Sequence, residues 1–436
     1  MKGEMQRTNR DFGVQLKALT MRGLTTPWCV FLLAFAIRLG IVWMGYDGDP
    51  QDTPEYDEIA LNLLSGKGYV ASNWWHGLEL RAWRAPFYPF FLATVYGVFG
   101  YGHLFVRVIQ CVVGAGTAVL VFLLGRKLEP KSAPICGGFA VVYGPLAVVS
   151  NEVMTEVWFA FWLILFVYWL TPPVHKWSLI GAGVALGCAI LTRPAGVALG
   201  LALGIIAVFY RTRWHVRQWV WVSGMAFLVV LPWTVRNYVV FGVWPLVSTQ
   251  GGFIAARSNT TDPDWRKPHG WGVALDFLKA MPSELDRDRF WRQEAQMFIW
   301  NHPDLYIRLV GERFLHFWYF FHPQYNIWFM CILPFFLFGF YGYWRDDGYF
   351  LPSMVILVSL FLFSFVLYAN SRFRLPLEPF FLIFAGSAVS RLSDQWGLTK
   401  TLWLAGGGVL INGVIAWQAT YLRDGLLMIL QALQLK

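Results

Sequence analysis

About 11 apolar runs, each near the length needed to cross a bilayer, constrain this chain more than any other feature. They lie near 27–45, 103–125, 132–150, 154–171, 177–192, 194–210, 217–236, 326–344, 349–368, 376–391 and 401–419; a spanning helix needs about 20 residues. Of the 436 residues 57% are hydrophobic, 14% are charged and 18% are aromatic, which describes an all-α, polytopic integral membrane protein rather than a soluble globule. The formal charge of +9 does not point to nucleic acid, because the basic residues come in twos and threes between apolar runs. Cys29, Cys111, Cys136, Cys188 and Cys331 sit in or beside apolar runs without CxxC spacing and read as small buried hydrophobes. The scattered histidines form no HExxH pair.

The N-terminal residues Lys2, Arg7, Arg10, Lys17 and Arg22 precede a first apolar run that carries Arg38 and is followed by no small-residue cleavage site, so it reads as an uncleaved first helix. The segment 85–100 is short and has two prolines near its start. If it lies along the outer interface instead of crossing, and the N-terminus is cytosolic, then Arg126, Lys127, Lys131, Lys176, Arg211, Arg213, Arg217, Arg345, Arg391 and Lys400 all face inward, as the positive-inside rule requires. The chain then divides into a cytosolic basic N-terminus (1–26), a transmembrane core (27–236) with an outer loop at 46–102, an outer-face segment (237–325) and C-terminal transmembrane helices (326–436). The loop 46–85, "SNEVMTE", "LTRP", "PWTVRNY", the long segment and "ANSRFRLPLEP" fall on one outer face, where distant acids and arginines are able to meet.

Within that outer loop, "DTPEYDEIALNLLSGKGY" starts a helix at Thr53 and Pro54, presents Tyr56, Ile59, Ala60, Leu63 and Leu64 as one apolar face, and stops at Gly66 and Gly68. Glu55, Asp57 and Glu58 suit the positive end of the helix dipole. Asp52 fits a solvated loop residue and a catalytic carboxylate equally well, and Asp47 and Asp49 compete for the second role.

In order, "ALNLLSGKGY", "RAPFYPFFLA", "SNEVMTEVWF", "TRP", "PWTVRNY", "STQGG" and "SRFRLPLEPF" resemble the bacterial polyprenyl-phosphate-dependent glycosyltransferases of the GT-C superfamily, relatives of protein O-mannosyltransferases and of the aminoarabinose transferase that modifies lipid A. The resemblance runs from Arg38 to Ser387. It implies the GT-C fold with interfacial helices in the first outer loop, a catalytic carboxylate at Asp52, and a second acidic position at Glu156, with Glu152 as its rival one turn earlier. It also implies an inverting hexosyl or pentosyl transfer from a polyprenyl-phosphate-linked sugar to a glycan, lipid or protein acceptor. Such an enzyme works on the periplasmic or extracellular face of the inner (plasma) membrane, among membrane lipids. The larger members carry a sizeable soluble domain after their last helix, which this chain is expected to lack; the segment 237–325 is expected to grip the acceptor instead.

Sugar transfer from a lipid phosphate needs a base for the nucleophile and positive charge for the departing phosphate. A phosphate leaves as a stable anion, so the acid partner of a glycosidase is not required. Asp52 is expected as the base. Arg372 and Arg374 are expected to clamp the phosphate, with Arg193 and Arg236 as further phosphate-binding candidates. Tyr56, Arg84, Glu152, Glu378 and Arg38 are expected in support: Glu378 orients an arginine or caps its helix, and Arg38 pairs with a carboxylate below the site or reaches the surface. The loop "STQGGFIAARSNT" meets a phosphate or sugar through backbone N–H groups or forms a simple turn. Trp265, Trp271 and Trp291 fit sugar stacking or ordinary interfacial anchoring. A divalent ion, magnesium or manganese, shared by Asp52 and Glu156 suits the oxygen ligands and is left open. The competing class is a multi-pass transporter or flippase of a lipid-linked or anionic substrate, which predicts inverted repeats. No clear internal repeat is visible.

Overall fold

The computed structural model describes residues 26–45, 52–72, 79–209, 216–244, 247–260, 281, 283–318, 323–367 and 371–418. Asp47, Asp49, Trp265 and Trp271 lie outside them. The described chain is helical, with one isolated antiparallel bridge between Ala71 and Leu80.

The core is built around α17 (Glu378–Trp396), an apolar helix whose residues Phe380 to Ala385 are fully buried. It packs against α4 (His103–Leu128), α5 (Ala133–Val142), α14 (Pro323–Tyr343) and α18 (Leu398–Trp417). Two glycines permit the closest approaches. A Cβ on Gly386 would collide with Cys136 of α5, and one on Gly339 of α14 would collide with the Phe384 carbonyl. A second layer is formed by α7 (Glu156–Leu170) on α8 (Lys176–Thr192), and α8 in turn on α10 (Val216–Phe241), while α1 (Pro27–Trp43) lies on α4.

Among the described residues, four helical stretches are long and apolar enough to cross a membrane: His103–Leu128, Val216–Phe241, Asp347–Val366 and Arg372–Trp396. A fifth is counted if Pro130–Val142 and Gly144–Asn151, bent by 58°, form one span. The break has a local cause, since Pro145 disfavours helical geometry just before it and Tyr143 is extended. Gly144 is also pressed by Trp328, whose indole occupies the place of a Cβ. Other apolar helices, including α1, α7, α8 and α9 (Ala195–Phe209), are 17 residues or shorter. Helix length alone thus accounts for four or five of the expected spans.

The helices share two polar ends. At one, Lys127 Nζ donates to the carbonyls of Tyr168 (2.9 Å) and Thr171 (3.0 Å), and Lys131 pairs with Asp394 at 2.8 Å. The C-terminal ends of α4, α7 and α17 therefore meet where the inward-facing basic residues were expected. At the other end stand the start of α7, the end of α8 and the outer-loop helices α2 (Thr53–Leu64) and α3 (Phe87–Phe99). At 13 residues α3 is about 20 Å long, short of the ~30 Å hydrocarbon thickness. It packs along α2, with the Tyr56 and Tyr88 rings edge to face at 5.1 Å. As expected α2 ends at Gly66 (φ +77°), where Lys67 N–H donates to Asn62 O and Gly66 N–H to Leu63 O, a left-handed glycine stop.

Candidate active site

Five stretches far apart in sequence deliver charge to one place at this second end. Asp52 occupies the cap position of α2, one residue before the start expected at Thr53, yet its side chain makes no capping hydrogen bond. Instead its carboxylate faces Arg84 Nη2 at 3.0 Å and Arg372 Nη1 at 3.5 Å. An aspartate at a helix start that gives up its cap for two guanidiniums forgoes about 1 kcal/mol of ordinary capping.

Glu156 opens α7 and is fully buried. It accepts from Arg193 Nη2 at 3.0 Å and from Arg372 Nε. Arg193 reaches it because Pro194 follows: the residue before a proline is driven out of the helical region, so α8 ends with Arg193 extended. Its guanidinium lies 5.1 Å from the centre of the Phe373 ring. Glu152, the rival, enters through its carbonyl, which Gln110 Nε2 holds at 2.7 Å; the bonds to both Arg193 and Arg372 go to Glu156.

Arg84 closes the cluster from the other side. It bonds Glu55 through Nη2 at 2.6 Å and Nε at 2.9 Å while Nη2 also meets Asp52, and it lies 5.0 Å over the Tyr56 ring. Burial pushes the Asp52 carboxyl up, but Arg84 and then Arg372 outweigh it and hold the group below its usual range. Burial likewise disfavours the charged form of Arg84, and its carboxylates more than restore it. The result is three carboxylates, Asp52, Glu55 and Glu156, interleaved with three guanidiniums, Arg84, Arg193 and Arg372.

Glu55 was expected only as a dipole partner. It is buried completely, and its signal was present in the spacing: Glu55 stands one turn before Ile59, on the apolar face of α2. A carboxylate placed on a buried face needs a cation, and Arg84 supplies it.

Three arginine expectations are corrected. Arg372 and Arg374 share the short helix α16 (Ser371–Arg374) but sit two apart, so they cannot face the same way. Arg372 enters the cluster, whereas Arg374 is buried in the core on Glu378 (2.9 Å), the Phe317 and Trp318 carbonyls and the Phe329 ring. Glu378 thus orients an arginine, though one outside the site. Arg236 donates to the carbonyls of Arg81 (2.7 Å) and Tyr69 (3.3 Å) and stacks on Trp233, so it holds the outer loop. Arg38 is buried in α1 and donates to the carbonyls of Ala34 and Ala140, the place where a carboxylate partner had been expected. The loop at 248–260 spends its Gly252 N–H on Asp288, and Trp291 is buried against Phe253 instead of offering a face to a sugar.

A divalent ion does not fit the carboxylates as they are arranged. The Arg372 guanidinium stands between Asp52 and Glu156, and among the described residues no three His, Cys, Asp or Glu side chains gather around one point.

A helical integral membrane protein with a carboxylate–guanidinium cluster at one end is the class this architecture defines. The dolichyl-phosphate-mannose-protein mannosyltransferase family model matches residues 83–235, and the Alg9-like mannosyltransferase family model matches residues 315–434. Two crystal structures of ArnT from Cupriavidus metallidurans, one bound to undecaprenyl phosphate and one in the apo state, each superpose with a TM-score of 0.54 at 17% identity over 85% of this chain. The chain corresponds to 62% and 61% of the length of those proteins. No curated protein matches by sequence. Each family model covers less than half of the chain, and the structural likeness shows that the chain shares the helical membrane fold of these proteins.

Proposed function

We propose that this protein moves a sugar from a polyprenyl-monophosphate carrier to a hydroxyl or amine of a surface glycan or lipid, a protein or a cell-wall polymer, in one displacement with inversion. The observation that carries the proposal is Arg372, a single guanidinium shared between Asp52 and Glu156. The mannosyltransferase models and the undecaprenyl phosphate bound to the ArnT relative support a lipid-phosphate donor.

With its arginines engaged, the cluster is balanced in charge and Asp52 is a weak base. A donor phosphate oxygen competes with the carboxylates for Arg372 and Arg193, which bind phosphate in the same forked geometry. Once Arg372 turns to the phosphate, Asp52 loses one of the cations that depress it and becomes a stronger base. The acceptor O–H or N–H proton then passes to Asp52 and the acceptor atom bonds to the anomeric carbon. The bond from that carbon to the phosphate oxygen breaks, and its electron pair stays on the phosphate. The phosphate gains one negative charge as Asp52 loses one, so the cluster keeps its balance through the step. Arg84 stays on Glu55 and fixes the direction of Asp52. The arginines supply the charge stabilisation for which magnesium or manganese was considered.

The membrane orientation follows the same logic. Basic residues gathered at the opposite end of the helices favour a cytosolic side there, which supports a cluster at the outer surface of the plasma membrane. A transporter concentrates its polar groups near the midplane; here they stand at helix ends.

Binding of undecaprenyl phosphate tests the clamp. Saturating lipid raises the unfolding temperature of the wild-type protein, as a ligand at a hundred times its Kd adds about 2.7 kcal/mol. Arg372→Ala is expected to weaken binding at least about tenfold by losing a charge-assisted bond, and equal binding by the variant would refute the assignment.

A further inference from the structure

Arg84 serves Asp52 and Glu55 at once, which requires a fixed backbone behind it. It stands in the irregular segment between Leu80 and α3, and neither helix nor sheet supplies that rigidity. The two residues at 81 and 82 obtain it from elsewhere: all four of their backbone polar groups are taken by distant parts of the chain. Arg81 N–H donates to Glu284 Oε2 at 2.6 Å and Ala82 N–H to Glu284 Oε1 at 3.2 Å. The Arg81 carbonyl accepts from Arg236 at 2.7 Å, and the Ala82 carbonyl from the Thr249 N–H at 2.9 Å. The Thr249 hydroxyl also donates to Glu284 Oε1. Trp83 then packs its ring on Phe253 of α11 (Gly251–Ser258).

Glu284 opens α12 (Glu284–Asn301), where a carboxylate ordinarily serves the helix dipole. That role does not explain its placement. The helix is already capped by Ser283, whose hydroxyl accepts from Asp286 N–H, and Glu284 is 6% exposed with its oxygens turned to the segment before Arg84. A buried carboxylate is tolerated only where donors converge on it; here three do, two of them two and three positions ahead of Arg84.

We infer that Glu284 is a positioning residue for sugar transfer: by fixing the backbone of Arg81 and Ala82 it holds Arg84 on Asp52, which makes the outer helix α12 part of the active-site framework. This rests on the glycosyltransferase reading. The outer segment was expected to grip the acceptor; the geometry gives part of it a second duty, as the backing of the base.

The test is a double-mutant cycle on the full-length protein with a donor that the wild type consumes. Glu284→Ala is expected to lower kcat about tenfold or more while the donor KM changes less than about threefold, and Glu284→Ala/Arg84→Ala is expected to be no slower than Arg84→Ala alone, because contacting residues acting through one another are non-additive. Losses that multiply in the double variant would overturn the inference. Amide exchange supplies a second readout: the peptide covering 80–85 should exchange at least about tenfold faster in the variant, with α4 unchanged. Unaltered exchange there would also overturn it. If the alanine variant does not fold, Glu284→Gln keeps the volume and one acceptor oxygen and carries both readouts. A wild type that consumes no donor defeats the underlying reading, whereas an active wild type with multiplying losses defeats only the role of Glu284.

Discussion

Arg372 donates through Nε to Glu156, a residue 216 positions earlier in the chain. The same guanidinium faces Asp52 at 3.5 Å, so one side chain joins the start of α2, the start of α7 and the break before α17. Lysine keeps the charge but has no planar fork with which to span two oxygens. Arg372→Lys is therefore expected to lower kcat/KM by about 10²–10³, the usual cost of losing one preorganised donor. Steady-state kinetics on the purified variant measures it.

Arg374, two residues on, should behave oppositely. Removing it leaves Glu378 buried and unpaired, which costs about 3–5 kcal/mol of stability. Arg374→Met is expected to lower the unfolding temperature in detergent while the folded fraction keeps nearly normal turnover. Arg374→Met/Glu378→Leu is expected to recover most of the stability, since an apolar pair replaces the ion pair without leaving a charge behind.

The pH dependence follows from Asp52. Its folded pKa lies below the ordinary value of about 3.9, so the base is ionised across the neutral range and kcat/KM should show no acid limb between about pH 5 and 8. The ion pairs of Asp52 contribute stability that is complete above the unfolded carboxylate pKa and is lost as pH falls through the lower folded value. Arg84→Gln removes the largest opposing charge and leaves burial to act, so the acid limb should move up. A pH–rate profile that is identical in the variant would contradict the pairing.

Gly386 tests the packing. Any side chain there meets Cys136 across the α5–α17 contact. Gly386→Val is expected to cost about 1–3 kcal/mol by overpacking, seen as a lower unfolding temperature, with no specific effect on donor binding.

Much of this arrangement was legible before the structure. Hydrophobic run length gave the helical membrane class, because spanning a bilayer leaves few alternatives, and a topology argument placed Asp52, Glu156, Arg193 and Arg372 on one face. What the sequence concealed was direction. "SRFR" offers two arginines, and only the rotation of a short helix decides that Arg372 enters the site and Arg374 the core. Glu55 looked like an ordinary first-turn acid because the capping rules explain any acid there; its i, i+4 relation to Ile59 was the sign of burial. The role of Glu284 depends on a contact 203 positions away from Arg81, which no local pattern reports. The bend before Pro145 also escaped, because composition alone reads that run as continuous.

The central claim is that Asp52 is the base in transfer from a polyprenyl-monophosphate sugar. The most direct measurement is consumption of a panel of such donors by the purified protein with a crude envelope extract as acceptor, followed by mass spectrometry, with Asp52→Asn beside the wild type. The account predicts that the wild type consumes a donor and releases the polyprenyl phosphate, while folded Asp52→Asn does so about 10²–10⁴ times more slowly, the usual span for a general base. No consumption of any donor by the folded wild type, or an Asp52→Asn variant as fast as the wild type, would contradict it.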